Sequence, residues 1–172
     1  ADSRTALHRD IISHWIENNP PLVGTGWEPY PLSLRICNWI KWLLAGNAPV
    51  DGMQASLVEQ VSALSQQVEH HLLGNHLLAN AKALVFAGVY FEGEATDQWL
   101  RAGLAIQQQQ LAEQVLADGA HFELSPMYHS IILMDVLDLI QLGQCCPGAA
   151  LGSVLQTLRS TAAAMASWLE GI

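Results

Sequence analysis

The sequence predicts an all-α protein built from antiparallel helical hairpins, and three observations carry that expectation. Apolar residues recur at three- and four-residue intervals, as in Leu7, Ile11, Ile12, Trp15 and Ile16, or Leu57, Val61, Leu64 and Val68. This spacing gives a helix one buried face. The connections between such runs are short and rich in Gly, Pro, Asn and Asp, as in Asn18-Asn19-Pro20-Pro21 and Asp118-Gly119, which end helices and turn the chain. No run makes a convincing strand. Consecutive hairpins either stack in a straight solenoid or curve into a ring, and the absence of a strict repeat of fixed length weighs against a tandem array.

The first helix is expected from Ser3 to Asn18. A loop with two glycines, Val23-Gly24-Thr25-Gly26, then delivers Trp27-Glu28-Pro29-Tyr30. Pro31 opens a second helix through Leu44 with Leu32, Ile36, Trp39, Ile40 and Leu43 on one face, and Arg35 lies one turn from Trp39. Gly46 to Gly52 is a turn, with Asp51 capping a third helix from Met53 to Leu73. Gly74 and Asn75 break it. A fourth helix, His76 to Val89, is apolar all round and so should be buried on most sides. A fifth runs from Trp99 to Ala117, with Gln107 to Gln110 as a solvated stretch. Ser125 is a good N-cap and Pro126 a good first residue for a sixth helix through Leu142. Gly143 to Gly148 turns the chain, and Pro147 starts a seventh helix ending near Leu169.

At 172 residues the chain is one domain's worth and can bury a real core. It is 51% hydrophobic and 13% charged, which excludes disorder, and no apolar run is long enough to cross a bilayer. A net charge of −9 with only 7 Lys and Arg argues against nucleic acid, whose backbone needs a basic face. The same charge sits awkwardly with an anionic polysaccharide, although a local cluster around Arg35 could attract one. Cys37 and the pair Cys145-Cys146 form no disulfide or zinc pattern, and Cys37 reads as a small buried hydrophobe. Ala1-Asp2-Ser3-Arg4 lacks a charged-then-apolar leader. The chain begins in mid-helix character and stops just after a helix, so a fragment of a longer protein is expected.

Titratable side chains concentrate in Gly119-Ala120-His121-Phe122-Glu123-Leu124-Ser125-Pro126-Met127-Tyr128-His129. The stretch puts Tyr128 and His129 in the first turn of a helix, where unpaired N–H groups and the dipole favour a negative neighbour; it also reads as an ordinary helix start. Gly74-Asn75-His76 is a second polar knot: Asn75 suits turn chemistry at a helix junction, or an amide and an imidazole face a pocket there. Trp27 and Tyr30 are either hydrophobic staples or platforms for a sugar ring. Arg35 is either a solvated helix residue or a fork for a carboxylate or sulfate. Glu123 either caps the turn or holds His76, His129 or Arg35 in place. Metal is disfavoured: among His70, His71 and His76, His70 and His71 point to different sides of one helix, no carboxylate or Cys supplies the remaining ligands at fixed spacing, and His121 and His129 could join only through folding. No cofactor is expected.

Three segments in this order resemble the heparinase II/III family of polysaccharide lyases and the related alginate lyases. Gly26-Trp27-Glu28-Pro29-Tyr30-Pro31-Leu32-Ser33-Leu34-Arg35-Ile36-Cys37-Asn38-Trp39 is similar to the family's aromatic loop running into an Arg and an Asn-Trp pair. Gly74-Asn75-His76 is similar to its Asn-His pair, and Asp118 to His129 to its later Tyr-His helix start. The resemblance spans Gly24 to Leu142.

It implies an incomplete (α/α) toroid over residues 1–172, the helical part of a bacterial enzyme that cleaves uronate-containing polysaccharides by β-elimination. It also implies a following β-sandwich domain packed against this one, and a periplasmic or secreted location. In that scheme Asn75 neutralises the uronate carboxylate, Tyr128 and His76 serve as base and acid in an order the sequence does not assign, and His129 is a lesser candidate. Trp27, Tyr30, Arg35 and Glu123 contact or position the sugar. The alternatives are a non-catalytic helical carbohydrate-binding or protein-interaction module and a plain helical scaffold.

Overall fold

Alternate helices of this chain run side by side, and that parallel register is what gathers distant residues. The computed structural model describes residues 3–72, 74–147 and 150–171. The features expected at Ala1, Asp2, Leu73, Gly148 and Ile172 lie outside the described residues. The helices are α1 (Ser3–Asn18), α2 (Pro29–Leu44), α3 (Met53–Gln66), α4 (Asn75–Tyr90), α5 (Glu94–Gln114), α6 (Pro126–Cys145) and α7 (Leu155–Glu170), with 3-10 turns at Thr25–Trp27 and Ala150–Ser153. The class is all-α, as expected. Among the described residues the nearest approach to β structure is a single bridge between Val115 and His121.

Helices α2, α4 and α6 pack on one another as an inner row, while α3, α5 and α7 each back onto that row and α1 lies on α3. The apolar period dictates this arrangement. Leu32, Ile36 and Ile40 of α2, Leu57, Val61 and Leu64 of α3, and Ile132, Val136 and Leu139 of α6 are all fully or almost fully buried. Each such side chain contributes about 1.5–3 kcal/mol relative to exposure. Helix α4 sits between neighbours, so every residue from Leu77 to Ala87 is buried, in line with its all-round apolar sequence. Its approach to α5 is set by Gly103: a Cβ there would lie 2.7 Å from the Ala81 carbonyl oxygen and 2.9 Å from the Val85 nitrogen.

Several boundaries differ from the sequence expectation. Helix α3 stops at Gln66 rather than Leu73, because the next residues take tertiary partners. Gln67 Nε2 donates to the Trp27 carbonyl at 2.9 Å, and the Glu69 N–H donates to Asn80 Oδ1 at 2.9 Å. His70 and His71 therefore sit in turns, not on opposite sides of a helix. Helix α5 begins at Glu94, five residues before Trp99, with Glu94 and Asp97 in its first turn, where the helix dipole favours acids. It ends at Gln114, and Gln107 and Gln110 are buried, so only Gln108 and Gln109 of that stretch are exposed. Helix α7 starts at Leu155 instead of Pro147, since the Ala150–Ser153 turn tucks Leu151 fully into the core.

Candidate functional site

Because α2, α4 and α6 run the same way, their N-terminal ends meet at one end of the inner row. Tyr30 and His76 are each the second residue of their helix, and their rings stack with centroids 4.4 Å apart and planes at 21°. Asn75 Nδ2 donates to the Tyr30 hydroxyl at 3.4 Å. Tyr128, in the first turn of α6, lies within electrostatic reach of the Tyr30 phenol. None of the three helices is capped by a side chain at its start, Ser125 included. The positive ends of three helices therefore meet at this face, which suits a carboxylate, with fewer free first-turn N–H groups on α2 and α6 because Pro29, Pro31 and Pro126 have none.

Gly74 makes the α4 start possible. Its φ of 91° and ψ of −149° suit only glycine, and a Cβ there would lie 2.6 Å from Glu123 Oε1. The Glu123 carboxylate thus lies against the α4 start, where the helix dipole favours it. Burial pushes the Tyr30 phenol above its ordinary range, Asp135 and Tyr128 add to the rise, and Lys82 and the bond from Asn75 oppose it. Tyr30 therefore remains a neutral hydroxyl at physiological pH and keeps its own hydrogen for a ligand.

His76 is held from behind. Its Nδ1 lies 3.3 Å from Glu69 Oε1, while Asn80 Nδ2 donates to Glu69 Oε2 at 3.3 Å and to Ser33 Oγ at 3.0 Å. Ser33 in turn donates to the Pro29 carbonyl at 2.8 Å, closing the network onto the start of α2. Deeper in the row, Lys82 of α4 pairs with Asp135 and, at 3.1 Å, with Asp138 of α6, and Lys41 of α2 meets Asp138 at 2.5 Å. Sequence reasoning missed Glu69, Asn80, Lys82 and Asp135. Asn80, a buried polar residue one turn after His76 in an apolar helix, was a readable signal; Glu69 carried none.

Three expected site residues have other employment. His129 is completely buried. Its Nδ1 accepts from the His121 N–H at 3.2 Å, its Nε2 donates to the Met165 carbonyl at 2.9 Å, and its ring stacks on Trp168 at 4.6 Å. With both nitrogens occupied it ties α6 to α7 and cannot exchange protons with a substrate. Trp27 is 4% exposed and packs on Trp15, which leaves it no face for a sugar. Arg35 bonds Gln60 Oε1 and the Gly26 carbonyl, both at 2.8 Å, and lies 3.7 Å over the Trp15 ring. Burial without an anion lowers the Arg35 pKa to about 10. It stitches the aromatic loop to α3 and α1. Glu123 stays near the site, but Glu69 is the carboxylate that holds His76.

The turn carrying Glu123 is locked to the α4 start through Gln114, whose Nε2 donates to the Gly74 carbonyl at 3.0 Å and whose Oε1 lies 3.0 Å from His121 Nε2. Burial lowers the His121 pKa, so that ring is neutral. Surface hollows lined by Lys41, Phe86 and Asp138, and by Leu22, Val58 and Gln67, contain neither Asn75, His76 nor Tyr128. Among the described residues no three metal-ligating side chains converge, and no helix is long and apolar enough to cross a membrane.

Known proteins share both the sequence and the fold. The model of the heparinase II/III N-terminus matches residues 10–150. A heparin-sulfate lyase of Bacteroides thetaiotaomicron is 29% identical over 146 residues, covering 78% of this chain and 21% of that protein. One from Pedobacter heparinus is 33% identical over 129 residues, covering 68% and 19%. The crystal structure of heparinase III superposes with a TM-score of 0.73 at 25% identity, over 94% of this chain and 26% of that one. The chain thus spans about a fifth of the length of the curated relatives it matches. An inner row of parallel helices whose starts carry Tyr30, Asn75-His76 and Tyr128, and a match over residues 10–150, place the chain in the heparinase II/III family, in its N-terminal helical region.

Proposed function

We propose that this chain is the helical part of a polysaccharide lyase that cleaves uronate-containing glycans by β-elimination. The observation that carries the reading is the meeting of three uncapped helix starts around Asn75, His76, Tyr30 and Tyr128. The Asn75 amide and the helix N–H groups stabilise the uronate carboxylate as charge flows onto it, which makes the C5 proton removable. His76 and Tyr128 divide proton abstraction from C5 and proton donation to the departing glycosidic oxygen. The Tyr30 hydroxyl donates to the sugar, and Glu123 shapes the α4 start. The starts of α2 and α6 favour a carboxylate locally despite a net charge of −9. The relatives are about five times the length of the matched region, so the opposite wall and full turnover belong to a longer protein with a following β-sandwich domain, acting on glycans outside the cytoplasm.

The test is ultraviolet absorbance of the unsaturated uronate product, followed for the full-length protein with heparan sulfate, alginate and bacterial exopolysaccharides. Asn75→Ala and Tyr128→Phe should each cost at least about a hundredfold in kcat. Undiminished activity in a Tyr128→Phe/His76→Ala double variant removes the mechanism. Glycan binding without product would favour a binding module instead.

A further inference from the structure

We propose that Glu69 is a positioning residue for His76, holding its imidazole in the Nδ1–H form so that Nε2 is the nitrogen offered to a ligand. The inference rests on the reading of Asn75-His76 as the reaction site, and it names a residue and a proton position that the reading leaves open.

The argument starts from Glu69's surroundings. The residue is 8% exposed and follows α3 in a turn, with no helix to fix its side chain. Its place is fixed by Asn80, which is completely buried. Asn80 Oδ1 accepts the Glu69 backbone N–H, and Asn80 Nδ2 donates to Glu69 Oε2. One amide therefore grips the same residue by its main chain and its side chain. The second amide hydrogen goes to Ser33 Oγ, which anchors Asn80 to α2. The remaining carboxylate oxygen, Oε1, meets His76 Nδ1 at 3.3 Å.

A carboxylate oxygen accepts and does not donate, so the nitrogen facing it carries hydrogen. The His76 side chain keeps 38% of its exposure, and its Nε2 has no protein partner among the described residues. Tyr30 stacks on the ring and fixes its plane. A free histidine side chain prefers the opposite, Nε2–H form. The clamp therefore selects the less favoured tautomer and fixes which edge of the ring faces outward, the task that carboxylates perform behind reactive histidines elsewhere.

Nitrogen NMR of the His76 ring in this chain decides the matter without any substrate. The expected result is hydrogen on Nδ1 and a lone pair on Nε2 at a pH where the ring is neutral. Glu69→Ala should return His76 to a predominantly Nε2–H form, and Glu69→Gln should leave a mixture, while the His129 ring signals stay in place as an internal control on the fold. A His76 ring that carries its hydrogen on Nε2 in the unaltered chain overturns the proposal, and that measurement needs no variant to fold. In the full-length protein Glu69→Gln should lower kcat about tenfold to a hundredfold while KM changes little. If the tautomer is as stated but the full-length protein releases no unsaturated product from any uronate glycan, the lyase reading falls and the role of Glu69 stands. If product forms but the tautomer is reversed, the role of Glu69 falls alone.

Discussion

Replacing Lys82 by Met tests whether the charges buried between α2, α4 and α6 hold the inner row together. Lys82 is 5% exposed and Asp135 7%, and the two are in direct contact. Asp138 would keep Lys41 after the change, but Asp135 would lose its cation. Removing one partner of a buried pair costs about 3–5 kcal/mol, because the other charge stays desolvated. In a domain of this size that lowers Tm by roughly 6–20 °C. Burial already pushes the Asp135 carboxyl above its ordinary value, against the pull of Lys82; without Lys82 it rises further.

The pH dependence follows from that direction. Where the folded pKa exceeds the unfolded one, the native state holds more protons between the two values, so stability falls as pH rises through that window. The Lys82→Met deficit should therefore be greatest at neutral pH and shrink as the pH drops towards the ordinary carboxyl range. Urea unfolding at pH 7.5 and pH 5 reads this difference. Lys82→Met/Asp135→Leu should recover most of the loss, since an apolar pair replaces a desolvated ionic one. A single variant that loses less than about 1 kcal/mol at neutral pH, or a double variant no better than the single, refutes the reasoning.

Two further outcomes are expected. Gly103→Ala should cost about 1–3 kcal/mol in urea unfolding, because the new methyl meets α4 backbone at 2.7 Å, whereas Gly152→Ala, which faces open space, should change stability by less than about 0.5 kcal/mol. Burial pushes the Cys37 thiol up to about 12, so iodoacetamide at pH 8 should alkylate the exposed Cys145 in the native chain and reach Cys37 only after unfolding, as peptide mass mapping would show.

How much of the site could be read in advance differs from residue to residue. Asn75-His76 and Tyr128 stood out because polar residues at helix starts interrupt apolar runs, and the structure brings Asn75 and His76 against Tyr30, whose phenol also feels Tyr128. His129 carried the same local signal as Tyr128. Adjacent residues on a helix point about 100° apart, and here that rotation turns His129 into the core, onto Trp168 and the Met165 carbonyl. Trp27 and Arg35 matched a motif, yet the loop folds back on α1 and α3, which buries one and engages the other with Gln60, Gly26 and Trp15. Glu69 lay in a stretch that read as helix, and only the capture of its N–H by Asn80 shows why the helix ends early.

By itself the sequence determined the helical class, the seven helices and most of their buried faces, because apolar spacing and turn residues act over a few positions. The tertiary structure alone decided which polar side chains meet. Hydrogen bonds and ion pairs such as His76 with Glu69, or Lys82 with Asp135, join residues whose neighbourhood depends on how parallel helices are aligned against each other. That alignment follows from the packing of whole faces, which no local run of residues encodes.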